Sequence, residues 1–174
     1  MSVPIPELES LVFLPYLTPE GDVDPKWAGK IGVYGIFDQA QVLQYVGFSR
    51  DLASSLRLHL VRVCDRCVWL KVFTVDKPSR SLLIEIQAAW WGNQACSDPD
   101  LWEQPLNCLP YMNDQERQQL AEATSDREQD QVRKDIARRL EQEIMAKLAA
   151  RGVTFKPRFD PKRKNAGILD LKTS

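Results

Sequence analysis

Two short runs of β-branched and aromatic residues, Gly32 to Asp38 and Val42 to Phe48, lie on either side of a polar break at Asp38, Gln39 and Gln41. Alternating or continuous apolar runs around such a break predict a β-hairpin. Beyond it, Leu52, Leu56, His59 and Leu60 recur three or four residues apart, behind Ser49 and Asp51, either of which can cap a helix. That period predicts an amphipathic helix. Val68 to Val75 reads VWLKVFTV and predicts a third, largely buried strand. Pro78 and Ser79 open a helix from about Ser81 to Trp91, closed by Gly92. The resulting order is strand, strand, helix, strand, helix.

The flanking segments are less patterned. Met1 to Lys30 carries Pro4 and Pro6, an apolar run from Leu11 to Leu14, and then Pro15, Pro19, Gly21 and Pro25. A short strand or a turn of helix packed on the domain is the expectation there. Asn93 to Tyr111 reads as loop, interrupted by Pro99, Pro105 and Pro110, with Trp90, Trp91 and Trp102 expected to close the core. From Asn113 the composition turns to Gln, Glu, Arg, Lys and Ala. Val132, Ile136, Leu140, Ile144 and Leu148 lay a narrow apolar stripe on a helix over 125–151, with Gly152 as its C-cap. Such a helix can lie across the domain or pair with a partner; four-residue steps drift around the helix, so the first is preferred. The tail interleaves Lys156, Arg158, Lys162, Arg163 and Lys164 with Phe155 and Phe159, a composition suited to nucleic acid or an acidic protein surface, or to a solvated disordered tail. The segments are therefore an N-terminal extension (1–28), a central domain (29–112), a helical segment (113–152) and a basic tail (153–174).

Composition narrows the class. The chain has 174 residues, 44% of them hydrophobic and 27% charged, enough for one domain with an appendage and a real core. It has no apolar run of membrane-spanning length and no charged-then-apolar leader, so a cytoplasmic protein with no membrane partner is expected. The net charge of -1 is unevenly spread: Met1 to Met112 has 9 basic and 13 acidic side chains, and Asn113 to Ser174 has 14 and 11. An acidic central domain is poorly suited to duplex DNA, whose non-specific affinity comes from phosphate neutralisation.

Gly32-Val33-Tyr34, Tyr45-Val46-Gly47, Asp51-Leu52 and a histidine fourteen residues after the second tyrosine resemble the core motif of the GIY-YIG nuclease superfamily. The resemblance covers Gly29 to about Asn107. It implies an α+β fold with a small three-stranded antiparallel sheet flanked by helices, and magnesium- or manganese-dependent endonuclease cleavage of DNA. It further implies Glu85, at the end of Leu82-Leu83-Ile84, as the metal ligand, and Tyr34 and Tyr45 as the residues that position or deprotonate water. His59 matches a position that often contacts the site. Asn107 loosely matches a supporting asparagine, with Asn93 as competitor.

One element of the motif is missing. The family arginine on the first helix, ten residues after the second tyrosine, is Ser55 here, and Phe48 stands where a lysine often follows the motif. Arg57 lies two residues on, a rotation of roughly 200° about the helix, so it is expected to point away. Arg50 and Arg80 are the substitutes within reach, and Lys162, Arg163 and Lys164 are further phosphate-binding candidates. Loss of one charge-stabilising donor costs about two to three orders of magnitude in a hydrolytic rate. A tyrosine, with a reference pKa of about 10, also needs nearby positive charge to act as a base.

The cysteines raise a separate possibility. Cys64-Asp65-Arg66-Cys67 is a CxxC, followed by Cys96 and Cys108. Strong structural-zinc signals need two tight pairs, so free cysteines are preferred to a zinc site. The preferred functional expectation is a pseudoenzyme: a nuclease-like domain that binds nucleic acid or a protein partner through the long helix and basic tail. An active magnesium-dependent endonuclease is the alternative, and a zinc-stabilised nucleic-acid-binding protein the third.

Overall fold

The computed structural model describes residues 4–172. The chain divides into two compact units, the first ending at Trp102 and the second beginning at Glu103. Residues 103–112, expected at the end of the central domain, fall in the second unit.

The first unit has an α+β fold. β1 (Leu14–Pro15), β2 (Ile31–Phe37), β3 (Leu43–Ser49) and β4 (Trp69–Val75) form an antiparallel sheet in the order β1-β4-β2-β3. The expected sheet had three strands. The fourth is the end of the apolar run Leu11 to Leu14, which pairs Leu14 with Leu70 and Pro15 with Trp69. Two residues carry no period of their own, and proline is tolerated at a sheet edge because no ladder bond is asked of it.

The β2–β3 hairpin turns on Asp38, whose Oδ1 accepts from the backbone N–H groups of Ala40 and Val42, both at 3.0 Å. Gln41 takes a positive φ of 62° to complete the turn. Tyr34 then sits opposite Gly47, and Ile36 opposite Tyr45. Because successive side chains alternate, Tyr34 and Tyr45 share one face, while Val33 and Val46 occupy the other.

The two faces are covered by different helices. α1 (Leu52–Arg62) turns Leu52, Leu56, His59 and Leu60 inward and brings His59 against Tyr34. At its start Asp51 accepts from Gly29 N–H at 3.0 Å and from the Ser54 hydroxyl at 2.8 Å. α2 (Arg80–Trp91) is capped by Ser79 and packs Leu83, Ile86 and Trp90 against Val33, Phe37, Val46 and Leu8. The segment before β2 is bound into this layer: the Trp90 indole N–H donates to Pro6 O at 2.9 Å, and the buried Lys71 ammonium donates to Leu8 O at 3.0 Å. That ammonium also lies 4.2 Å from the centroid of the Phe13 ring.

The stretch expected to be loop contains α3 (Pro99–Glu103). Its proline is no obstacle, since a helix's first turn leaves that N–H unbonded in any case. In the second unit β5 (Leu106–Asn107) pairs antiparallel with β6 (Ile168–Leu169). α4 (Asp114–Glu122) starts in a capping box in which Asn113 and Glu116 each accept from the other's backbone N–H. α5 (Asp126–Ala150) buries Ile136, Ala137, Leu140 and Leu148; its C-cap is Arg151 rather than the expected Gly152, which follows it with a φ of 83° that suits a glycine. The tail is folded. It forms α6 (Pro161–Lys164), joins Lys164 to Glu141 at 2.7 Å, and bridges Phe159 to Leu171. Phe159 is therefore a core residue, and the interleaved aromatic pattern of the tail reflects packing.

Candidate functional site

Three residues singled out from the sequence meet on one face of the sheet. The Tyr34 Oη and His59 Nε2 lie 2.7 Å apart, and the rings of Tyr34, Tyr45 and His59 have centroids 5.0–6.4 Å from one another. The motif glycines make this possible. A Cβ on Gly47 would lie 2.5 Å from Tyr34 Oη and 2.6 Å from its Cζ, so only glycine leaves the phenol its path to His59. On Gly32, a Cβ would collide with the Phe73 carbonyl on the neighbouring strand.

The cluster is closed. Trp102, wholly buried, stacks on Tyr45 with centroids 5.2 Å apart and 8° between planes, and lies 5.7 Å from His59. Two arginines hold it in place. Arg62 donates to the Trp102 carbonyl at 3.0 Å, and the Arg66 guanidinium lies 5.2 Å from the Trp102 ring centroid. Arg66 is fixed in turn by Gln44 Oε1 at 2.7 Å and by both oxygens of Asp98, at 2.6 and 3.4 Å. That pairing holds the Asp98 carboxyl below its usual range.

Burial governs the electrostatics. It drives the His59 pKa down to about 3, with the Arg62 charge adding to the effect and the Trp102 backbone opposing it. His59 is thus a neutral imidazole near pH 7. Its Nδ1 and the Trp102 Nε1 are buried without a hydrogen bond of normal geometry among the described residues. A neutral imidazole at Nε2 can accept the Tyr34 proton.

Glu85 is not part of this cluster. The buried positions of α2, Leu83, Ile86 and Trp90, turn Glu85 outward, and it lines a groove of about 940 Å³ with Ile5, Phe73, Val75, Lys77 and Leu82. Phe73 is the cross-strand partner of Val33, so the groove is on the α2 side of the sheet, opposite the tyrosines. Among the described residues no three His, Cys, Asp or Glu side chains converge to hold an ion. None of the three clustered side chains, Tyr34, Tyr45 and His59, is a carboxylate.

The cations are elsewhere. Arg57 points away as expected from its helical offset and pairs with Asp22 at 2.9 and 2.6 Å. Ser55 donates to the Ser49 hydroxyl at 2.6 Å. Arg50 and Arg80 are exposed, Arg80 being the first residue of α2. Asn107 belongs to the second unit, where its Oδ1 accepts from Leu109 N–H at 3.1 Å. Asn93 is exposed. Of the tail cations, Arg163 pairs with Asp170, Lys164 with Glu141, and Lys162 is exposed. Cys64 and Cys67 lie in the first unit with Cys96, and Cys108 lies in the second; none of the four is in a disulfide. Sequence reasoning missed Arg66 and Asp98; the partners of Arg66, Gln44 and Asp98, lie 22 and 32 residues from it in the chain.

No family model matches the chain. It is 37% identical over 59 residues to the bifunctional monothiol glutaredoxin-S16, chloroplastic, of Arabidopsis thaliana, a match covering 34% of this chain and 20% of that protein. The chain thus spans about a fifth of the length of the curated relative it matches. No helix of the described residues is long and apolar enough to cross a membrane.

Proposed function

We propose that the first unit is a GIY-YIG-like domain whose hydrolytic site has closed, and that the protein acts as a nucleic-acid-binding module. One observation carries this reading: Trp102 stacks on Tyr45 and packs beside His59, so that all four side chains are buried and the tyrosines face no open site for a phosphate and its metal. The outward Glu85 and the Ser55–Ser49 contact agree with it, because neither supplies charge at the tyrosines. Binding is assigned to the second unit, where Lys156, Arg158, Lys162 and Lys172 are exposed and the backbone of Lys172 donates to Arg158 O at 2.7 Å. Cations spread over adjacent segments suit a phosphate backbone.

The test has two arms. Supercoiled, branched and single-stranded DNA, and RNA, are incubated with magnesium or manganese and wild type or Glu85→Ala, and no cleavage is expected from either. Metal-dependent cleavage that disappears in Glu85→Ala would overturn the closed-site reading and favour an active endonuclease. Binding is followed by fluorescence anisotropy across salt concentrations, with Arg158→Glu and Lys162→Glu expected to weaken it and flatten the salt slope. Salt-independent binding, or none, would turn the search to a protein partner.

A further inference from the structure

The CxxC between α1 and β4 adjoins the residue that clamps Trp102. Cys64, Asp65 and Arg66 form one turn of 3-10 helix, closed by a hydrogen bond from Cys67 N–H to Cys64 O at 3.5 Å. A turn of that kind brings the first and fourth Cα atoms within about 7 Å, the upper end of the range a disulfide spans. Both side chains are turned in from solvent, Cys64 8% and Cys67 0% exposed. Arg66 lies inside the four-residue loop that a bond between them would close.

We infer that Cys64 and Cys67 are a redox site, oxidised by small-molecule disulfides to an intramolecular disulfide that unseats Arg66 from Trp102. Cys64, the less deeply buried residue of the two, attacks one sulfur of the small disulfide as its thiolate. This forms a mixed disulfide and expels one thiol. Cys67 then attacks the Cys64 sulfur and expels the second. Two protein thiols lose two electrons and two protons, and the small disulfide gains both as two free thiols. Closure tightens the backbone on either side of Arg66, whose side chain spans to Gln44, Asp98 and the Trp102 ring in the reduced state. The bond is a reversible one, because so short a loop gains little from constraining the unfolded chain, and bonds of that kind are the reducible ones. Cys108 is a poor competitor, since burial pushes its thiol up to about 11. Cys96 is the meaningful control. It is partly exposed and lies beside the same carboxylate, its Sγ 3.8 Å from Asp98 Oδ1.

The experiment treats the folded full chain with oxidised glutathione and maps its bonds by mass spectrometry of a non-reduced digest. The expected product lacks two hydrogens, joins Cys64 to Cys67, and reverts with dithiothreitol. Cys96→Ser is expected to leave it intact, while Cys67→Ser is expected to leave glutathione on Cys64. A change in tryptophan emission should accompany oxidation of wild type and be absent from Trp102→Phe. Glutathione retained on wild-type Cys64 or Cys96, a bond pairing Cys96, or reaction only after urea unfolds the chain would each overturn the site. A Cys64–Cys67 bond without any Trp102-dependent emission change would overturn its link to Trp102. Wild-type mapping needs no variant, and circular dichroism identifies any variant that fails to fold.

Discussion

Tyr45 and Trp102 lie face to face, 5.2 Å between centroids and 8° from parallel, although 57 positions separate them in the chain. Both rings pack against His59, 5.0 and 5.7 Å between centroids, and help to give it its low-dielectric surroundings. Trp102→Ala is therefore expected to destabilise the first unit by about 3–5 kcal/mol, the usual range for removing a buried large aromatic. The same change should raise the His59 pKa toward its ordinary value. Thermal unfolding and NMR titration of the single histidine measure the two effects.

His59 also gives stability a pH dependence. Its folded pKa, about 3, is below the unfolded value of 6.5, so protons bind the unfolded chain more readily. Its contribution is fully present above pH 6.5 and is lost as pH falls from there toward 3. The slope approaches about 1.4 kcal/mol per pH unit well inside that window. Urea unfolding between pH 6.5 and 5 samples the window above the range where carboxylates titrate, and His59→Gln should flatten the dependence.

Gly47→Ala tests the close passage of the Tyr34 ring. Overpacking of this kind costs about 1–3 kcal/mol. In Tyr34→Ala the same glycine substitution should cost less, although the Tyr45 ring, 2.8 Å from that Cβ, still has to move, and the difference appears as a coupling energy in a double-mutant cycle read by chemical denaturation.

In the second unit, Arg139 bonds both oxygens of Glu116, at 2.9 and 2.7 Å, and the Tyr111 carbonyl at 2.9 Å. Glu116 is also the carboxylate that accepts from Asn113 N–H in the capping box of α4. Replacing Arg139 with methionine keeps the stem and removes these bonds, with an expected loss of about 1–2 kcal/mol. Calorimetry should place that loss in a transition that Trp102→Ala leaves unmoved if the two units unfold separately.

Where local pattern determines structure, the sequence was readable. β2, β3, α1, β4 and α2 each carry a complete period, and the capping residues Asp51, Ser79 and Gly92 mark their ends. The meeting of Tyr34, Tyr45 and His59 follows from strand alternation and helical spacing. A short strand or helical turn was expected ahead of β2, and β1 lies there, but its place in the sheet was not legible, and β5 and β6 did not announce themselves, because a two-residue strand exists only through its distant partner. Trp102, Arg66 and Asp98 were hidden as a group for the same reason, although Trp102 was correctly expected to be core. The outward direction of Glu85 was in principle available from Leu83, Ile86 and Trp90, whose spacing leaves position 85 on the other side of α2.

Lys71 gives the segment before β2 an importance its irregular backbone conceals. With Leu8 O and the Phe13 ring in place, the ammonium is shielded and satisfied. Cut the chain after residue 13 and the same charge faces a vacated apolar hollow, which water must flood or the lysine must escape by rotating out of the sheet. A trimmed version of this domain beginning at β2 would thus carry a defect in its middle, and any shortened chain meant to stay folded needs its first strand and the turn ahead of it.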